Sequence, residues 1–166
     1  MTPIRLLARP MLASMFVVGG INALKNPEGP AAAAEPVTER IMPLAERVLP
    51  ASLPIPRNPQ TLVRINGAAQ LAAALALATG RAPRLAATVL AASLVPTTAA
   101  GHRFWEETDP AARAGQRVHF FKNVSMLGGL LLAGVDTEGK PGVAWRARRL
   151  AHDAKREAAL AKAKLS

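Results

Sequence analysis

The chain has 166 residues, half of them apolar, and a formal net charge of +10. Its mean hydropathy of +0.16 is a value that a soluble protein could share, so the average does not define the class. The sequence contains no cysteine, which excludes disulfides, thiol redox catalysis, cysteine-ligated iron–sulfur clusters and covalently attached haem. Any redox role must therefore use a partner's cofactor or one that is held without a covalent bond.

Apolar and charged residues are segregated along the chain. Four windows contain no charged side chain, at 10–24, 65–80, 85–101 and 123–135. Each is shorter than the roughly 20 residues that cross a bilayer core. Each can be extended, however, across flanking Arg, Lys or His residues whose polar heads reach the interface. Four spanning helices are therefore predicted, at about 5–25, 62–80, 84–104 and 118–136.

The competing interpretation is a soluble, alanine-rich four-helix protein. Residues 68–78 are rich in alanine, which contributes little to membrane insertion. Residues 94–101 and 126–135, however, lack the polar stripe that an exposed helix face would show. The predicted fold class is thus all-α, an integral membrane four-helix bundle.

The distribution of basic residues predicts the orientation. With four spans, 12 of the 21 lysines and arginines fall on the side that holds both termini. Because positive charge concentrates on the cytoplasmic side, both termini are predicted to be cytoplasmic. The basic balance indicates anionic lipid rather than nucleic acid as the partner. Residues 1–34 imitate a cleavable secretory signal, but Lys25, Asn26 and Pro27 follow the apolar run directly and favour a retained span.

Between the first two spans, residues 26–60 contain eight prolines, which predict that no long regular helix forms there. Residues 36–49 are the exception, because apolar side chains recur at helical spacing opposite charged ones. This segment is predicted to be a short amphipathic helix on the membrane surface or over the bundle, with a plain connecting loop as the alternative. At the other end, residues 140–166 are predicted to be a basic cytoplasmic tail helix, separate from a spanning domain of residues 1–139.

Polar residues on the second and third spans mark candidate positions. Asn66 and Gln70 are four residues apart and share one face of the second span. In the third span, Pro96 predicts a kink. The same span is predicted to carry a polar and aromatic face, formed by Thr98, His102, Trp105 and Glu106.

The fourth span is the most informative, since a cation and an amide interrupt its apolar run at Lys122 and Asn123. Such side chains are costly to desolvate in a membrane, so they usually have an assigned partner. His119 lies on the same helix face. The adjacent Gly128 and Gly129 predict close helix packing.

Two interpretations of these polar residues are open. In the first, they line one site for a quinone or an acidic lipid head group between the second, third and fourth spans. In the second, which we favour, they form hydrogen bonds and ion pairs, for example Glu106 with Lys122, that hold the helices together. Such contacts typically contribute about 0.6 kcal/mol each in membranes. The candidate residues are Asn66, Gln70, His102, Phe104, Trp105, Glu106, His119, Lys122 and Asn123.

The sequence lacks the motifs of the common enzyme classes. It contains no phosphate-binding loop, dinucleotide-binding fingerprint, nucleophile elbow or zinc motif. His102 and His119 have no third ligand at a defined spacing, so they do not indicate a metal or haem site. No inverted repeat supports small-solute transport, which is the weakest hypothesis.

Four segments resemble the DoxX family of small bacterial membrane proteins. They are RPMLASMFVVGGINALKNP (9–27), LVRINGAAQLAAALAL (62–77), LVPTTAAGHRFWEE (94–107) and HFFKNVSMLGGLLL (119–132). The HxFW and F-K-N-x4-G-G-L-L-L patterns are the most specific parts. Beside most of the candidate residues above, the family pattern marks Arg9, Pro10, Gly20, Lys25, Gly67, Pro96, Gly128 and Gly129.

The resemblance implies a four-helix membrane bundle and a link to membrane redox metabolism, since the family is named for a subunit of a thiosulfate:quinone oxidoreductase. Some actinobacterial members look like scaffolds in oxidative-stress complexes with soluble detoxifying enzymes. The long proline-rich loop and the basic tail look like that actinobacterial form. The expected function is thus a non-catalytic subunit in the bacterial plasma membrane, bound to a peripheral redox or detoxification protein. The alternative is a quinone- or lipid-binding subunit, and the small-residue faces suggest a homodimer.

Overall fold

Helices account for most of the computed structural model, which describes residues 3–48, 50, 55–139 and 141–165. The helices of these residues are α1 (Pro3–Lys25), α2 (Glu28–Val48), α3 (Pro59–Ala78), α4 (Pro83–Gly101), α5 (Pro110–Val135) and α6 (Val143–Leu165). The described residues contain no strand, which confirms the predicted all-α class.

Three of the described helices are long and apolar enough to cross a membrane. They are α1, α3 and α5, with 23, 20 and 26 residues. Large apolar side chains remain exposed on them, such as Leu7 and Met11 on α1 and Leu132 on α5, and such surfaces are typical of membrane contact. With 19 residues, α4 is not among the three.

Prolines at the first helical position begin α3, α4 and α5, where the missing backbone N–H costs nothing. Asn58 caps α3, since its Oδ1 accepts the Gln60 backbone N–H at 2.9 Å. Asp109 caps α5 in the same way, with Oδ2 accepting the Ala112 backbone N–H at 2.7 Å. This Asp-Pro signal starts α5 at Pro110, well before the predicted start at residue 118.

The prediction that prolines prevent a long helix between residues 26 and 60 is wrong. Helix α2 runs from Glu28 to Val48 and includes Pro36 and Pro43. These prolines lie about two turns apart, so each disturbs the backbone hydrogen bonds of a different turn. The alanines of 31–34 have the highest helix propensity, and α2 also packs against α3 and α4. Residues 36–48 of the predicted amphipathic helix form the second half of this longer helix, and residue 49 lies outside the described residues.

The third predicted span, 84–104, is too long at its C-terminal end. Helix α4 ends at Gly101, and His102 is its C-cap with φ −134° and ψ 52°. Residues 102–109 form turns and irregular backbone, so Trp105 and Glu106 do not continue a helical face. A terminal glycine favours this ending, since it has no side chain to stabilise another turn.

Helices α1, α3, α4 and α5 pack as a series of antiparallel neighbours. The closest approach is between α1 and α3, where a Cβ on Gly20 would lie 2.8 Å from the Gly67 carbonyl oxygen. Along α4 and α5, the Arg84 Nε–H donates to the Gly134 carbonyl oxygen at 3.0 Å. The largest fully buried side chains of the core are Leu77, Leu90 and Leu130, from α3, α4 and α5.

The chain divides into two compact units, Met1–Val135 and Asp136–Ser166. The second unit contains α6, whose side chains at 145–157 are exposed. Within α6 the Arg149 guanidinium lies over the Trp145 ring, 5.5 Å from its centroid. Arg149 also pairs with Asp153, at 3.6 Å. Both contacts of Arg149 thus join residues one helical turn apart.

Candidate functional site

A serine hydroxyl on α4 links two amide side chains of α3. Gln70 Nε2 donates to Ser93 Oγ at 2.7 Å, and Ser93 Oγ donates to Asn66 Oδ1 at 2.6 Å. Gln70 is buried, and its Oε1 faces α1, since a Cβ on Gly19 would lie 3.9 Å from that oxygen. The polar side chains of the second predicted span therefore join helices to each other.

Asn123 makes the corresponding link between α5 and α4. It is buried, and its Nδ2 donates to Thr98 Oγ1 at 3.0 Å. Thr98 Oγ1 in turn donates to the Leu94 carbonyl oxygen at 2.7 Å. The Asn123 amide, which is costly to desolvate, thus has a hydrogen-bond partner. Among the described residues, every fully buried side-chain nitrogen or oxygen atom has a hydrogen-bond partner.

His102, His119 and Lys122 form a group that we call the imidazole–lysine cluster. The two imidazole rings stack with centroids 5.3 Å apart and planes 21° apart. Lys122 Nζ lies 3.4 Å from His119 Nδ1, and because an ammonium group only donates, that nitrogen accepts. His102 Nδ1 lies 2.7 Å from Gln116 Oε1, which only accepts, so His102 donates through Nδ1.

Aromatic side chains pack together at the same end of α4 and α5. The Phe104 ring centroid lies 5.2 Å from that of Trp105 and 5.4 Å from that of Phe120, both in edge-to-face geometry. Phe120 and Phe121 meet in the same geometry at 5.5 Å. Edge-to-face pairs are favourable because the positive ring edge meets the negative face. The candidate aromatic residues therefore form one continuous cluster.

An apolar recess of about 210 Å³ opens between α4 and α5. Its walls include Leu94, Val95, Ala99, Trp105, Phe120 and Val124. The Thr98–Asn123 hydrogen-bonded pair also lines it and provides its polar groups. A protein cavity of roughly 150 Å³ holds a benzene molecule, so this recess has room for a substituted ring or part of a lipid chain.

The expected ion pair between Glu106 and Lys122 is not formed. Glu106 instead pairs with Arg103 at 3.1 Å, three residues away, because both lie in the short connection between α4 and α5. The two adjacent glycines of α5 differ in their surroundings. A Cβ on Gly129 would lie 3.4 Å from Leu12 of α1, whereas one on Gly128 would meet no atom within 4 Å.

Three polar residues of these networks were not among the candidate residues. Thr98 was predicted only as part of a polar helix face. Ser93 was missed because a single serine in an apolar helix is usually unremarkable, although it bonds both candidate amides of α3. Gln116 was missed because the fourth span was predicted to begin after it. Its spacing of seven residues from Asn123 and three from His119 places it on their helix face, and this spacing was available as a signal.

The remaining residues of the family pattern lie on α1 and α4. Arg9 is buried, Pro10 lies inside α1, and Lys25 is in the last turn of that helix. Pro96 lies inside α4, and the neighbouring Thr97 Oγ1 donates to the Ser93 carbonyl oxygen at 2.8 Å. Hydroxyl bonds of this kind compete with the regular backbone pattern.

Among the residues that the structure describes, no group of three or more His, Asp or Glu side chains is close enough to hold a metal ion. The imidazole–lysine cluster brings two histidines together, but Gln116 and Lys122 occupy one ring nitrogen of each.

An all-α chain with three membrane-length apolar helices, two of which are joined to α4 by side-chain hydrogen bonds, is a small helical membrane protein. The chain belongs to the DoxX family, whose sequence model matches residues 4–103. The match extends from α1 to the start of the α4–α5 connection, so His119, Lys122 and Asn123 lie beyond it. No curated protein and no solved structure gives a significant match.

Proposed function

We propose that the chain crosses the bacterial plasma membrane four times and has both termini in the cytoplasm. α3 and α5 are membrane-length helices, and α4 lies antiparallel to both. A chain that crosses along α3 must return along α4 before it crosses again along α5. The larger share of basic residues on the side of the termini supports the cytoplasmic placement.

The absence of cysteine makes this topology simple to test, because any introduced thiol is the only one in the chain. Arg81 lies in the α3–α4 turn and Glu107 in the α4–α5 connection. In intact cells a membrane-impermeant maleimide should label Glu107→Cys, and should label Arg81→Cys only after permeabilisation. Labelling of both positions from the same side would contradict four crossings.

Within this topology the chain acts as a non-catalytic subunit that holds a peripheral redox or detoxification protein at the membrane. The observation that carries this function is α6, a 23-residue helix in a compact unit of its own. Its exposed side chains at 145–157 include five Arg or Lys residues against one Asp and one Glu, and they offer a basic surface to a partner. The polar side chains between the other helices support it, since they are engaged in bonds that join the helices.

Truncation after Gly139 tests this function. The truncated chain should still enter the membrane, because the unit Met1–Val135 contains its own core, but it should lose the co-purifying partner. A full-length control replaces the basic residues at 145–157 by Gln and keeps the helix length. It should also lose the partner if charge is what binds it. A partner that stays with the truncated chain would refute the proposal.

The apolar recess favours a second function, a membrane subunit that binds a quinone or a lipid. Its volume and its almost wholly apolar walls suit a substituted ring or part of an acyl chain. Ala99→Phe should fill the recess and remove any quinone or lipid that co-extracts with the purified protein. Ala92→Phe, on an exposed position of α4, is the matched control. Equal extraction from both variants would refute a ligand in the recess.

A further inference from the structure

Lys122 carries a charge that the described part of the chain does not neutralise. It lies within α5, a membrane-length helix, and its side chain is partly buried. No carboxylate of the described residues forms an ion pair with it, and its hydrogen-bond contact is a ring nitrogen, His119 Nδ1. A cation at such a position is expensive and normally has a counter-charge.

Two carboxylates of the α4–α5 connection bind groups other than Lys122. Glu106 pairs with Arg103, and Asp109 accepts the backbone N–H of Ala112 at the start of α5. The imidazole–lysine cluster therefore presents an ammonium group beside two stacked imidazole rings. The Gln116 amide holds one of these rings in place at 2.7 Å.

We propose that the imidazole–lysine cluster binds an anionic oxygen group of the phosphate class. Lys122 supplies the charge, and His119 supplies a further donor through its Nε2–H, since its Nδ1 accepts from Lys122. Together they give charge-assisted hydrogen bonds to an anion. The site is distinct from the apolar recess. On an ideal helix Lys122 and Val124 lie about 100° to either side of Asn123, which faces α4. Anion binding at the imidazole–lysine cluster also requires neither the protein partner nor the quinone of the functions proposed above.

The phosphate group can belong to an anionic lipid or to a free anion, and two measurements separate these sources. In the first, native mass spectrometry compares retention of phosphatidylglycerol and phosphatidylcholine supplied in equal amounts. In the second, the unfolding temperature is measured in phosphatidylcholine nanodiscs with sodium phosphate or with sodium chloride at equal ionic strength. Selective lipid retention identifies a head group, and stabilisation by phosphate without lipid selectivity identifies a free anion.

Three variants of the full chain test whether Lys122 is responsible. Lys122→Gln should lower the preference for the anion about tenfold, the loss expected for a hydrogen bond to a charged group. Lys122→Arg should retain it, which shows that the fold tolerates the position. Arg117→Gln removes the same charge from an exposed position on the other side of α5 and should have little effect. Equal losses in Lys122→Gln and Arg117→Gln, or no anion preference in the unaltered protein, would overturn the proposal.

Discussion

The contact between α1 and α3 makes a quantitative prediction, because backbone atoms meet at two glycines. In Gly67→Ala the new Cβ would lie 2.8 Å from the Ala23 Cβ and 3.1 Å from the Gly20 carbonyl oxygen. Carbon atoms pack best at about 3.5–4.0 Å, so the two helices must separate by roughly 0.7–1.2 Å. Overpacking of this kind costs about 1–3 kcal/mol.

Gly128→Ala is the matched control for this substitution. Both glycines lie inside a membrane-length helix, and alanine raises the helix propensity of each by about 1 kcal/mol. A Cβ on Gly128 would meet no atom within 4 Å. The propensity term therefore cancels in the comparison, and the two variants should differ by the overpacking cost alone, about 1–3 kcal/mol.

Unfolding in mixed micelles by SDS titration, followed by far-ultraviolet circular dichroism, measures the free energy of each variant. We expect Gly67→Ala to be the less stable of the two. Equal free energies of unfolding would mean that the backbones of α1 and α3 do not approach as closely as the structure indicates.

Three further substitutions test the polar contacts. Ser93→Ala should lower the free energy of unfolding by about 1–3 kcal/mol, because both candidate amides of α3 lose their partner; an unchanged value in the same titration would argue against this network. Asn123→Ala and Thr98→Val should show a coupling of about 0.6–1.7 kcal/mol in a double-mutant cycle, whereas simple additivity would exclude their hydrogen bond. Arg84→Gln should accelerate amide hydrogen exchange in residues 131–135, because it removes a bond to the last turn of α5, and unchanged exchange there would count against that bond.

The membrane-length helices could be predicted from the sequence because apolar composition alone defines them. The charge-free windows in α1, α3 and α5 were extended across flanking residues with apolar stems. The structure places these helices close to the predicted spans, apart from the start of α5. The start of α5 was missed because a length argument was applied where a capping signal, Asp109 followed by Pro110, was present. α2 was missed because the rule that proline ends helices was applied without weighing the alanines of 31–34 and the packing on α3 and α4.

The candidate site was predictable at the level of residue types but not of partners. Desolvation cost correctly marks Asn123 as a side chain that needs a hydrogen bond, but a sequence does not specify whether Thr98 or another group supplies it. The expected pairing of Glu106 with Lys122 assumed that α4 continues to residue 104. Because α4 ends at Gly101, the chain turns and Glu106 meets Arg103 instead.

Helix α4 is the most enclosed of the packed helices, although it is not one of the three with membrane-length apolar composition. Its side chains find partners on both sides, with Ser93 bonded toward α3 and Thr98 toward α5. The ribosome synthesises α2 and α3 before α4 and α5 after it, so α4 lacks its contacts with α5 when it first emerges. The bond from Arg84 to the Gly134 carbonyl oxygen forms only when nearly all of α5 has been made. Placement of α4 is therefore a late step in the biogenesis of this protein, completed by the arrival of α5.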